Sequence, residues 1–79
     1  MIFTVSNTGA SNSISHINDP YRDDRLLCGR DATFYLFAEE DIYFEDGELY
    51  REDFIYPIHD IGYCKKCLRI ARKLDNLNK

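Results

Sequence analysis

Apolar residues follow two different periodicities along the chain. Up to about residue 58 they form short β-branched and aromatic runs separated by turn residues, which is typical of strands. The runs are residues 1–5 (MIFTV), 14–17, 26–28, 33–37 and the two sides of 42–50 (IYFEDGELY). Asp46 and Gly47 lie between the last two apolar runs and predict a tight hairpin turn. These runs together predict a small antiparallel sheet.

Two segments of this first part are less regular. Residues 38–41 (AEED) follow a β-prone run but are also compatible with one turn of helix. Residues 54–58 (FIYPI) contain Pro57, which has no N–H to donate to a ladder, so we expect an edge or strand-end segment there. Residues 6–13 (SNTGASNS) and 18–25 (NDPYRDDR) are rich in turn-forming residues and predict the ends of the first two strands.

From Cys67 onward the pattern becomes helical. Apolar positions recur at a spacing of three and four residues, namely Cys67, Ile70, Ala71, Leu74 and Leu77 or Asn78. Basic residues occupy another side of the same segment. The sequence therefore predicts an α+β fold, in which a small antiparallel sheet packs against an amphipathic C-terminal helix.

The length of 79 residues predicts a single domain, residues 1–79, with an acidic, aromatic hairpin inserted at about residues 33–58. A core of this size often needs additional stabilisation by disulfides or a bound metal ion. The run from Met1 to Val5 is too short for a signal sequence, and no stretch approaches the roughly 20 apolar residues of a membrane helix. We therefore expect a cytoplasmic protein that does not bind membranes.

The three cysteines are the strongest chemical signal. An odd number fits a disulfide framework poorly and fits a metal site with three thiolates and one further ligand. Cys64 and Cys67 are separated by two residues, so both sulfurs can bind one zinc ion, and Cys28 precedes a glycine at a predicted strand end. The alternatives are a redox pair, for which the βαβ context is missing, and three unligated buried thiols.

The fourth ligand has two histidine candidates. His16 lies twelve positions before Cys28, and a hairpin closed through residues 18–25 would place the two side by side. His59 lies five positions before Cys64 and could reach the ion through a tight local loop. Water or a carboxylate such as that of Asp60 is a further alternative. We favour zinc bound by His16, Cys28, Cys64 and Cys67.

These residues resemble a known pattern. His16, then residues 27–30 (LCGR) and residues 64–69 (CKKCLR) are similar to the H…LCGR…CxxCLR arrangement of short zinc-binding proteins of bacteria and their phages. The resemblance implies a treble-clef-like or ribbon-like finger with His16 as the fourth ligand. The 35-residue stretch between Cys28 and Cys64 is longer than is usual for that pattern.

Charge is distributed unevenly. The net charge is −4, yet residues 39–53 carry eight acids against one base, and residues 64–79 carry six bases against one acid. Aromatic residues lie among the acids, and such a surface suits a basic protein partner. The residues expected to bind that partner are Tyr43, Glu45, Asp46, Glu48 and Tyr50. The alternative is nucleic-acid binding through the basic side of the helix, at Lys65, Lys66, Arg69, Arg72 and Lys73.

Catalysis is not indicated. The chain has no GxSxG, phosphate-loop or HExxH motif, and a zinc ion with four protein ligands keeps no open position for water. Nothing in the sequence points to a small-molecule substrate. We expect a non-catalytic, zinc-binding protein-interaction module, such as a small phage-type effector that binds and modulates or inhibits a host protein.

Overall fold

Four strands and one helix form the regular structure of the chain. The computed structural model describes residues 1–9, 14–33, 35 and 37–78. The strands are β1 (Phe3–Asn7), β2 (His16–Ile17), β3 (Phe37–Glu45) and β4 (Glu48–Arg51), and the helix is α1 (Lys65–Leu77). The strands form one antiparallel sheet in the order β2-β1-β3-β4. The α+β fold predicted from the sequence is confirmed.

The hairpin between β3 and β4 follows from its turn residues. Asp46 and Gly47 have φ values of 53° and 82°, and they connect the paired residues Glu45 and Glu48. Two consecutive positive φ values match the right-handed twist of the flanking strands, and glycine and aspartate tolerate them well. The tight hairpin predicted at Asp46-Gly47 is therefore confirmed.

The core lies between one face of the sheet and the helix. Alternate strand residues point toward it, so that Phe3, Val5, Ile42, Phe44 and Leu49 are buried while Thr4, Asp41 and Glu45 are exposed. Cys67, Leu68 and Ala71 of the helix pack into the same cluster together with Ile17 and Leu27. The two periodicities of the sequence thus converge on a single core.

Several local expectations differ from the structure. Residues 38–41 belong to β3 and not to a helical turn, because β3 pairs with β1 along Asn7↔Phe37 to Phe3↔Ile42. Of residues 26–28, Leu26 forms only an isolated bridge and Leu27 and Cys28 lie in a turn, and residues 54–58 form no strand. Part of the turn expected at residues 6–13 and of the run expected at residues 33–37 lies outside the described residues. The remainder of the first turn includes Ser6 and Asn7, which continue β1.

Loops of the same chain bond to both outer strands of the sheet. The N–H of Ile58 donates to the carbonyl of Leu49 in β4 at 2.8 Å. At the opposite edge, the N–H of Leu27 donates to the carbonyl of Ile17 in β2, also at 2.8 Å. The sheet is thereby extended at each side by irregular chain segments.

An ion pair near the end of the helix attaches it to the segment just before β1. The Met1 ammonium lies 3.2 Å from the Asp75 carboxylate, which is buried.

Among the described residues, the helix is too short and too polar to cross a lipid bilayer.

Candidate metal centre

Four side chains from three separate parts of the chain meet at one end of the core. They are His16 of β2, Cys28 of the following turn, and Cys64 and Cys67 at the start of α1. The ligand atoms of these four residues all lie within 4.8 Å of one another. The grouping predicted from the sequence is therefore present, and the cluster can hold a metal ion.

The distances within the cluster fit tetrahedral coordination. The Sγ atoms of Cys28 and Cys67 lie 3.5 Å and 3.7 Å from Nδ1 of His16. Zinc bonds of about 2.3 Å to sulfur and about 2.0–2.1 Å to nitrogen separate neighbouring tetrahedral ligands by roughly 3.5 to 3.8 Å. The separations across the whole cluster reach up to 4.8 Å, so one ion at its centre would require the more distant ligand atoms to move closer together by up to about 1 Å.

The turn between β2 and Cys28 brings the first two ligands together. Asn18 forms an antiparallel bridge with Leu26, so the chain reverses through residues 19–25 as the sequence predicted. Gly29, with φ of 95°, follows Cys28 and donates its N–H to the Leu26 carbonyl at 2.9 Å. A side chain at Gly29 would be strained in this left-handed conformation, because a Cβ atom disfavours positive φ.

Backbone hydrogen bonds position the second pair of cysteines against His16. The N–H of Cys64 donates to the Ser15 carbonyl, and the N–H of Ser15 donates to the Gly62 carbonyl, each at 2.8 Å. Cys64 is the N-cap residue of α1, and Cys67 lies in the first turn. A CxxC spacing at a helix start therefore directs both thiols toward the neighbouring histidine.

The surroundings shift the pKa values of the cluster residues in different directions. Burial raises the pKa of the Cys67 thiol to about 12. Burial also opposes ionisation of Cys64, but the backbone and thiol of Cys67 and the backbone of Lys66 outweigh it, so the pKa of Cys64 is lowered. Burial and the Arg30 charge lower the pKa of His16, which favours the neutral imidazole that a metal binds.

Aromatic and acidic neighbours surround the cluster. The Tyr35 ring meets the His16 ring edge to face, with centroids 4.9 Å apart. Tyr63, immediately before Cys64, donates its hydroxyl proton to Glu40 of β3, and Glu40 also pairs with Arg51 of β4. The sheet therefore braces the segment that leads into the second cysteine pair.

The competing histidine lies elsewhere. His59 is exposed and lines a shallow groove with Glu48, Pro57 and Arg72. It does not belong to the cluster, and neither does the carboxylate of Asp60. Of the residues that the sequence left open for the fourth ligand, His16 is the one that lies with the three cysteines.

The residues expected to bind a protein partner lie together on the hairpin. Tyr43 and Tyr50 are paired across β3 and β4, and their rings stack with centroids 5.4 Å apart and an angle of 11° between planes. Glu45, Asp46 and Glu48 are exposed at the tip. We refer to these five residues as the acidic aromatic face.

The predicted basic residues of the helix are not equivalent. Lys65, Lys66, Arg69 and Lys73 are exposed, whereas the Arg72 guanidinium lies over the Phe44 ring at 5.2 Å from its centroid. Arg72 therefore also covers the core with its long side chain.

Arg30 is a site residue that the sequence reasoning missed. Together with Lys65 and Lys66 it lines an open groove of about 1080 Å³ beside His16, Cys28 and Cys64. Its position two residues after Cys28 was the available signal, because a residue that closely follows a metal ligand stays near the metal. We refer to this feature as the basic groove.

No family model, curated protein or solved structure matches the chain. The resemblance of its cysteine and histidine pattern to the short bacterial and phage zinc-binding proteins therefore stays a prediction.

Proposed function

We propose that the protein is a zinc-stapled, non-catalytic module that binds a basic surface of another protein through the acidic aromatic face. The observation that carries the proposal is the stacked pair of Tyr43 and Tyr50 on the side of the sheet opposite the core. Carboxylates of Glu45, Asp46 and Glu48 lie beside this pair.

Zinc is the ion that best fits the donor set. Three thiolates and one imidazole are soft or borderline ligands, which favour zinc over magnesium or calcium. The pairwise distances of 3.5 Å and 3.7 Å to the His16 nitrogen suit a tetrahedron of this kind. Four protein ligands would close the coordination sphere, which favours a structural role over a catalytic one.

The hairpin carries aromatic surface that folding of this chain does not fully bury. Tyr43 and Tyr50 remain half-buried, whereas the alternating residues Ile42, Phe44 and Leu49 of the same strands enter the core. Tyrosines supply large contact area at low entropic cost and are enriched at the centres of protein interfaces. The stacked pair therefore suits an anchor for a partner.

The potential at this anchor is negative. Partial burial, followed by the charges of Glu48 and Glu45, raises the pKa of the Tyr50 phenol. Acidic groups around an interface centre steer partners that carry lysine and arginine and reject acidic ones. A small effector that occupies a basic groove on a host protein would have this combination of features.

Photo-crosslinking tests the proposal directly. A photoreactive phenylalanine analogue at position 50 is compared with the same analogue at Tyr21, which is 68% exposed and lies in the turn after β2. We expect position 50 to yield an adduct with a different protein whose contact region is basic. Tyr21 should not yield it, and Glu45→Lys with Glu48→Lys should abolish it.

Two results would contradict the proposal. One is equal yield of the same adducts from positions 50 and 21, which would indicate random collisions. The other is an adduct at position 50 that persists when both glutamates are replaced by lysine, since a charge-selected partner would then be lost. Zinc content and circular dichroism of each variant verify that the fold is retained.

A further inference from the structure

The molecule carries a second surface whose properties are opposite to those of the acidic aromatic face. Three cations, Arg30, Lys65 and Lys66, line the basic groove. Asp60 also lines it, and a zinc ion held by three thiolates would add a formal charge of −1 at its wall, so the groove keeps a net charge of about +1. The exposed side chains of Ile14 and Ile61 border it, with 53% and 83% of their surfaces accessible. The groove therefore offers apolar contact together with positive charge.

We propose that the basic groove of one molecule receives the acidic aromatic face of a second copy, so that the protein associates head to tail. This inference rests on the proposed role of that face as a docking surface, and it adds a second copy of the chain as a partner that competes with a different basic protein for the face. The groove offers cations and aliphatic side chains, and the face offers carboxylates and a stacked tyrosine pair. Their complementarity extends to both charge and apolar character.

The strand order separates the two surfaces within one molecule. The groove lies at the β2 side of the sheet, and the face lies on the β3–β4 hairpin at the other side. Strands are spaced about 4.8 Å apart, so β2 and β4 are separated by roughly 14 Å. That distance exceeds the Debye length of about 8 Å at physiological salt, so the two surfaces neutralise each other poorly within one molecule.

A head-to-tail contact has a characteristic stoichiometry. Each molecule keeps one unused surface of each kind after the first contact, so association continues to rings or open chains instead of stopping at a symmetric dimer. The contact relies on exposed charges and should therefore weaken as salt increases.

Sedimentation of the zinc-loaded protein tests this inference. We expect the average mass to rise above the monomer mass of 9.3 kDa as concentration increases toward about 1 mM at about 20 mM salt, and to return to it at about 0.5 M salt. A wild-type protein that stays monomeric throughout the low-salt series would overturn the inference.

Three double variants identify the surfaces. Lys65→Gln with Lys66→Gln alters the groove, and Glu45→Gln with Glu48→Gln alters the face. Arg69→Gln with Lys73→Gln removes the same charge from exposed positions of α1 that do not line the groove. We expect at least a tenfold weaker association for the first two variants and less than a twofold change for the third. An equal loss in the third would assign the effect to diffuse helix charge and overturn the groove assignment.

Mixing the groove and face variants gives the sharpest outcome. Each retains one intact surface, so an equimolar mixture should form a 1:1 complex of about twice the monomer mass and no larger species. A mixture that remains monomeric would overturn the pairing of face with groove.

Further outcomes distinguish self-association from nucleic-acid binding in the groove and from the binding of a different protein. The wild-type protein could stay monomeric and bind a single-stranded oligonucleotide in the groove. That result would show that the occupant is nucleic acid and would overturn the inference. If the protein stays monomeric but position 50 still captures another basic protein, only self-association fails. Unchanged association of the Glu45 and Glu48 variant would overturn the inference and also remove support for the face as a docking surface.

Discussion

The Sγ atom of Cys67 lies 3.7 Å from Nδ1 of His16, although 51 positions separate the two residues in the chain. Cys67 is completely buried and His16 is nearly so. Two more thiols lie beside this buried thiol and imidazole. Without an ion, these ionisable groups would lack strong bonding partners, whereas one ion would bind all four. The arrangement is most readily explained by a metal.

Replacing His16 with asparagine should greatly weaken metal binding, because it removes one of four ligands from a closed site. We expect a loss of at least 100-fold in zinc affinity, measured by competition with a chromogenic chelator. His59→Asn provides a matched control, since His59 is exposed and lies outside the cluster. Equal affinities for the two variants would show that His16 is not a ligand.

Removal of the metal should unfold much of the chain. Structural zinc sites supply an apparent 10–16 kcal/mol of binding free energy, which is comparable to the whole stability of a small domain, about 5–15 kcal/mol. We expect about one zinc per chain by elemental analysis and loss of the helical circular dichroism signal after chelation. A metal-free protein with an unchanged spectrum would contradict a structural role for the ion.

The helix could be predicted more reliably than its buried face. Its spacing indicated Cys67, Ile70, Ala71 and Leu74 correctly. Leu77 is 79% exposed and its alternative Asn78 is exposed as well, whereas Leu68 is 2% exposed. Leu77 is the last residue of α1. Leu68 lies three positions before the buried Ala71 and seven before the buried Asp75, so it occupies the same side of the helix as they do. The periodicity of a helix predicts how wide its apolar side is. It does not predict which residues of that side the sheet buries.

Truncating the two leucines should reveal this difference. Leu68→Ala removes buried methyl groups and should lower the free energy of unfolding of the zinc-loaded protein by about 2–5 kcal/mol. Leu77→Ala should change it by less than about 0.5 kcal/mol, because exposed substitutions rarely matter more. Urea unfolding followed by circular dichroism gives both values, and a similar loss for both variants would contradict the observed core.

The ligand set could be predicted because its residue types are chemically specific and each half of it is local, although the two halves meet across 51 positions. The CxxC spacing, the turn before Cys28 and the β-prone residues around His16 each fix a short-range geometry. The path of residues 38–41 could not be predicted in the same way, since their strand conformation depends on pairing with β1 more than thirty positions earlier. Long-range pairing of this kind overrides weak local preferences.

The charge around Tyr50 should be measurable in its titration. The Glu48 carboxylate disfavours the phenolate, so Glu48→Gln should lower the pKa of Tyr50. Glu52→Gln is the control, because Glu52 is exposed and is not among the groups that shift this phenol. The ¹³Cζ chemical shift of labelled tyrosine, followed from about pH 8 to pH 11.5, reports the change. An unaltered Tyr50 titration in Glu48→Gln would contradict a negative potential at the stacked pair.

The hydrogen bonds from Ile58 to Leu49 and from Leu27 to Ile17 have a consequence for how other chains can approach. An unprotected outer strand is a template for strand addition and for amyloid-like growth. Here each side already has a carbonyl committed to a loop of the same molecule. Strand addition at these positions would therefore have to displace hydrogen bonds that form within the molecule.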